Sequence, residues 1–227
     1  MPNRLGYRGG DDNKALFDYC VAKQTDPGLV LILRKFQAAY PYLKLIASSN
    51  HIPDPFDARV VEAYWIGNEL LDGVDLAQFY SSLYERSANQ LDPKTLGYLL
   101  SKPPLGARVH HSFHVFDVHA RMGTLDPSLD TMESCRIGWG RVKEIGTTHF
   151  VVEHQPLVLK CGKLKLGEPR DKRVMRQIDG TGFIINPQVG DFVSFHWDWA
   201  CDILTPRQVR NLERYNRHHL KLANQTL

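Results

Sequence analysis

The stretch GRVKEIGTTHFVVEHQPLVLKCGKLKLGEP, residues 140–169, decides the fold. Its apolar residues fall in short, alternating, β-branched runs, and glycine, proline and polar steps divide the runs. The same rhythm continues through GDFVSFHWDWACDIL, residues 190–204. Period-two patterning with frequent turn residues predicts a small antiparallel β-barrel or sheet rather than helices. The segment TPRQVRNLERYNRHHLKLANQ, residues 205–225, then restores helical spacing. Thr205 is placed to cap this helix, and Pro206 occupies its first position, where no amide hydrogen is needed.

Upstream of residue 105 the pattern is helical. NKALFDYCV (13–21) has apolar residues at helical spacing, with Asp12 or Asn13 as cap, and residues 1–12 predict an irregular arm. In residues 26–49, Leu29, Ile32, Leu33 and Phe36 recur at three- and four-residue intervals, and Pro41 breaks or restarts the helix. HIPDPFDARVVEAYWIGNELLDG (51–73) carries the strongest helix signal, with Asp57 as N-cap and Gly73 past the end. Residues 75–90 and 92–104 read as two more helices. The expected fold is therefore α+β: a mainly α-helical domain over residues 1–125, then a small OB-like antiparallel β-barrel with a C-terminal helix over residues 131–227. The break falls near GTLDPSLD, residues 123–130.

Composition narrows the function. The 227 residues are 43% apolar and 23% charged, with a formal net charge of +3, so neither disorder nor a dense basic nucleic-acid face is expected. No apolar run approaches the ~20 residues that span a bilayer. The four cysteines are widely separated, which excludes a zinc ribbon. The polar start MPNRLGYRGGDDNK has no signal-peptide pattern, so a cytoplasmic protein with free thiols is expected. GxGxxG, P-loop, GxSxG and HExxH motifs are all absent.

Histidine is the residue type that carries chemistry. Four of the ten histidines, His110, His111, His114 and His119, lie in RVHHSFHVFDVHARMG, residues 108–123. The β-rich SFHVFDV favours a strand, but helix and strand both place His110 and His114 on one face. On a strand His111 and His119 lie ~27 Å apart, too far for one metal. The candidate metal ligands here are His110, His111 and His114. Glu62 is the candidate carboxylate partner, because a glutamate amid VVEAYW is costly to bury unpaired. A second concentration, FHWDWACD (195–202), predicts a strand on which His196 and Asp198 share a face, with Asp198 orienting the imidazole. His218 and His219 are expected on an exposed helix end.

The C-terminal half resembles the HypC-type hydrogenase maturation chaperones. CRIGWGRVKEI (135–145) matches that family's opening cysteine, turn and strand. VGDFVSFHWDWACDILTPRQVRNLERY (189–215) matches its later strand, histidine and helix. Two positions depart: Cys135 is internal, and Trp139 stands where the family has a turn proline. The resemblance implies that Cys135 and His196 bind iron carrying diatomic ligands, with a metalloprotein or another maturation protein as partner. The whole chain also resembles an uncharacterised bacterial family with motifs like NRLGY, VVEAYWIGN and HHSFHVF. Three functions stay open: a metallocofactor-handling accessory, an iron-dependent oxidoreductase centred on His110, His111, His114 and Glu62, and a non-catalytic interaction scaffold. A Cys135–His196 nucleophilic pair is a weaker fourth. No nucleic acid or membrane partner is expected.

Overall fold

The computed structural model describes residues 12–36, 38–119, 121 and 128–226. Residues 1–11 of the arm and most of the expected break between halves lie outside them. The fold is α+β. Helices α1 (Asn13–Ala22), α2 (Pro27–Arg34), α3 (Tyr40–Ser49), α4 (Ala58–Trp65), α5 (Leu76–Ser87) and α6 (Pro93–Leu100) build the first half. Aspartates stop and start the chain. Asp26, Asp57, Asp75 and Asp92 each accept a hydrogen bond from a backbone amide of the first helical turn, satisfying donors that have no partner within the helix. None of the described helices is long and apolar enough to cross a membrane.

The helix expected across residues 58–71 is shorter than its pattern. It ends at Trp65, and a 3₁₀ turn, Glu69–Leu71, follows. Gly67 breaks it with φ +98°, and a Cβ there would lie 2.3 Å from the Tyr215 ring. The position thus demands glycine twice, for its backbone angle and for close approach. Gly67→Ala is expected to cost about 2–3 kcal/mol in urea unfolding, from φ strain and a displaced Tyr215 ring. An unchanged midpoint would contradict this account of the break.

The barrel strands are β1 (Gly138–Ile145), β2 (His149–His154), β5 (Arg170–Met175), β6 (Phe192–His196) and β7 (Trp199–Leu204), closed in the order β1-β2-β5-β7-β6. Strands β3 (Leu157–Lys160) and β4 (Lys163–Leu166) form a separate hairpin. The barrel departs from pure antiparallel pairing at one seam, where β5 and β7 meet in parallel at Met175 and Trp199. Val142, Phe150, Val152, Val174, Val193 and Phe195 fill its interior, as period-two strands with one face inward require.

The last helices join the halves. Helix α7 comprises a helical turn, His111–Phe113, running into a π-helical segment, His114–His119. Helix α8 is Leu129–Cys135 and α9 is Pro206–Ala223, which opens with the expected Thr205 cap and Gln208 capping box. Although α9 follows the barrel in sequence, Tyr215 and Leu222 pack into the helical core, and Leu212 joins Ile137 and Leu204 against Trp65. The Lys102 ammonium donates to the Leu222 carbonyl at 2.6 Å.

Candidate metal centre

His111, Cys135 and His196 converge. Each offers one donor atom, and these atoms all lie within 4.8 Å of one another, forming among the described residues the one group of three that suits a metal ion. They come from three elements: His111 from the first turn of α7, Cys135 from the end of α8, and His196 from the end of β6. Cys135 and His111 are buried, and His196 is the partly exposed member. The Trp65 ring lies 4.4 Å from the His111 ring and 5.9 Å from the His196 ring, measured between centroids, so one indole packs beside both imidazoles.

Local chemistry sets each donor. His111 Nε2 is 2.8 Å from the Cys135 carbonyl oxygen, and Nδ1 is 3.3 Å from the Tyr64 hydroxyl. A carbonyl only accepts, so Nε2 carries the proton and Nδ1 the lone pair, an assignment made from the hydrogen-bond network. A metal-binding imidazole commonly donates its other N–H to a backbone carbonyl in this way. Cys135 is brought close because the next strand crosses tightly: a Cβ on Gly138 would sit 2.2 Å from the Phe195 ring.

His196 is aimed by a turn rather than by strand alternation. FHWDWACD is not one strand. His196 pairs with Trp199 and closes a two-residue hairpin through Trp197 (φ +50°) and Asp198 (φ +62°). Positive φ at both central residues marks a turn of the I′ kind, which glycine and asparagine usually supply. Two non-glycine residues held there cost about 1–2 kcal/mol each. The Trp197 amide donates to the Ser134 carbonyl at 2.9 Å, tying the turn to the helix that carries Cys135. A register shift at Ser194 and Phe195 re-aims the end of β6.

That turn moves Asp198 away from the expected role. Its carboxylate is exposed and pairs with Lys172 at 2.6 Å, so it does not orient His196. Asp198→Gly is expected to leave metal affinity unchanged and to raise stability by about 0.5–1 kcal/mol in thermal unfolding, because glycine accepts the positive φ. A tenfold loss of affinity would restore Asp198 to the site.

The His-rich segment is helical, contrary to the expected strand, and His110 and His114 do not pair. His110 is the N-cap of α7, with extended backbone angles, and its Nδ1 accepts from the Ser112 amide at 3.1 Å. A cap lies outside the helical spacing, so its ring turns to stack on Tyr215 with centroids 5.0 Å apart. His114 lies on the other side, its Nδ1 3.5 Å from the Tyr42 hydroxyl. The π-helical turn, with i→i+5 bonding, brings His114 and His119 to 5.5 Å between centroids. His119, expected to stand apart, is therefore beside His114, and His114 is 6.1 Å from His111.

Glu62 also lies outside the group. It accepts from Asn68 at 3.0 Å and from Gln208 at 2.8 Å, fastening α4 to the first turn of α9. His219, expected on an exposed helix end, is buried. Its Nδ1 is 2.7 Å from the Ser112 hydroxyl, and its Nε2 accepts from the Arg108 amide. Ser112 also lies 2.8 Å from His110 Nδ1. Burial holds the His110 imidazole down to about 3, partly offset by the Ile66 backbone, and holds His219 well below its ordinary value.

The sequence places the three donors in two candidate stretches and leaves open whether these form one site or two; the structure brings His111, and not His110 or His114, into one group with Cys135 and His196. Tyr64 and Trp65, which line the group, carry no sequence signal beyond their place in the helical run VVEAYW. No curated protein and no solved structure matches the chain. A family model described as a family of unknown function (DUF6390) matches residues 1–227. The chain belongs to that family.

Proposed function

We propose that this protein holds one transition-metal ion between His111, Cys135 and His196 and acts as an accessory that handles it, with iron as the metal. The convergence of these three side chains from three elements is the observation that carries the reading. A thiolate with two imidazoles and no carboxylate suits soft to borderline ions such as Fe(II), Cu(I) or Zn(II), and disfavours Mg(II) and Ca(II). Donors around a tetrahedral ion stand about 3.3–3.7 Å apart at metal–nitrogen and metal–sulfur distances of about 2.1 and 2.3 Å. Closing from within 4.8 Å to that spacing needs side-chain movement of about 1 Å.

Three protein ligands leave a fourth position open. An ion so held, with its His196 side partly exposed, can accept a ligand from a small molecule or another protein, as a carrier requires. The resemblance to the HypC-type chaperones supports iron, since Cys135 and His196 stand at the positions matching that family's iron ligands. The partner in this reading is a metalloenzyme or its maturation machinery. The group takes only His111 from the His110, His111, His114 and Glu62 set of the oxidoreductase reading, so the accessory reading is preferred.

Titration of the anaerobic full chain with Fe(II) tests it. Cys135→Ser is expected to weaken binding about 100-fold or more, because the anionic donor is lost. Equal affinity in Cys135→Ser and the parent would overturn the proposed ligand set.

A further inference from the structure

We infer that the Tyr64 phenol is the fourth donor of the metal centre, so that the ion is closed off by Tyr64 on the helical side. This rests on the metal-binding reading above. The Tyr64 oxygen lies 3.3 Å from His111 Nδ1, the nitrogen left with the lone pair once Nε2–H is committed to the Cys135 carbonyl. About 3.3 Å is the spacing that two donors of a tetrahedral ion keep when each lies about 2.0–2.1 Å from the metal. An ion taking the Nδ1 lone pair therefore meets the phenol oxygen at once. The hydroxyl is either displaced or bound, and its surroundings oppose displacement. Tyr64 is buried, stacks on Tyr42 at 5.4 Å between centroids, and meets the edge of Trp65 at 4.9 Å. A ring packed on two sides has little room to swing away.

Binding is an exchange of a proton for the metal: the phenol O–H breaks, its proton passes to solvent, and an oxygen–metal bond forms. No electron is transferred. A phenolate adds a second anionic, hard donor beside the thiolate, which favours the ferric state over the ferrous one. The site would then retain iron when oxidised, and an incoming ligand would be taken at a fifth position, from the partly exposed His196 side.

The test loads the full chain anaerobically with Fe(II) and oxidises it with ferricyanide. The ferric parent is expected to show a visible phenolate-to-iron charge-transfer band, with phenolate ring modes in its resonance Raman spectrum. Tyr64→Phe is expected to lose both and to bind Fe(II) about tenfold more weakly, whereas Tyr42→Phe keeps both. Iron-loaded parent without phenolate modes overturns the inference, and this reading needs no variant that folds. Tyr64→Phe with unchanged spectrum and affinity overturns it as well. In either case, iron lost on Cys135→Ser leaves the three-donor centre standing. A parent that takes up no iron overturns both.

Discussion

Between pH 7.5 and pH 5.5 the unfolding free energy is expected to fall by about 4 kcal/mol, through three histidines buried in the neutral form. His110 and His154 are held at about 3, in each case mainly by burial, and His219 well below its ordinary value for the same reason. The nearby Arg136, Lys172 and Arg170 add to the effect at His154. In the unfolded chain each imidazole titrates near 6.5. Below that pH the unfolded state binds protons that the folded state refuses, so stability drops as pH falls and continues to drop toward pH 3. Each such group contributes on the order of 1 kcal/mol by pH 5.5. Asp117 acts in the opposite sense, since burial raises its carboxyl and the folded chain protonates it earlier.

His154 provides the sharpest check. Neither of its ring nitrogens has a hydrogen-bond partner among the described residues, and its nearest carboxylate, Glu133, is 3.7 Å away. His154→Leu removes a buried polar group without orphaning another, so it should cost little at pH 7.5 and lessen the acid loss by about one third. Urea unfolding at the two pH values measures this. Stability equal within about 1 kcal/mol at both would contradict the neutral burial of these imidazoles.

Asp117→Ala is expected to destabilise the protein by about 3–5 kcal/mol at pH 7.5, the usual cost of leaving a buried charge without its partner. The Asp117 carboxylate lies 3.7 Å from the Lys102 ammonium, and both side chains are fully buried. Arg121 adds a second cation at 3.4 Å. Burial pushes Lys102 down and Asp117 up, each toward its neutral form, and their mutual attraction opposes both shifts. Removing the carboxylate leaves Lys102, among the described residues, with the Leu222 carbonyl as its hydrogen-bond acceptor. The double variant Asp117→Ala with Lys102→Met should recover much of the loss, because no unpaired charge remains. A single-variant loss below about 1 kcal/mol would show that solvent reaches this network.

The two halves were legible in the sequence because period and turn chemistry differ so sharply across them. Residues 140–204 alternate, and the helices upstream show apolar residues at three- and four-residue spacing, with Asp57 capping as its position predicts; the caps at Asp26, Asp75 and Asp92 appear only in the structure. The local errors share a cause: tertiary contacts decided what spacing left open. Gly67 sits inside a continuous apolar helix pattern, and only the Tyr215 ring shows why the helix stops there. His110 and His114 have the spacing of a chelating pair, but His110 became a cap held by Ser112 and Tyr215. Trp197 and Asp198 lack the asparagine-glycine signature of a tight hairpin, so FHWDWACD read as a straight strand. Cys135 and His196 were singled out in the sequence by a family resemblance. Their meeting with His111 was not, since it depends on a cap, a hairpin and a tight strand crossing that no single segment encodes.

The central claim is that His111, Cys135 and His196 form one metal centre. Elemental analysis of the full chain, loaded anaerobically with Fe(II) and desalted, tests it most directly. The account predicts about one iron per chain in the parent and in Glu62→Gln, and loss of that iron in His111→Ala, Cys135→Ser and His196→Ala alike. Less than about 0.1 iron per chain in the folded parent, or iron retained in all three ligand variants, would contradict it.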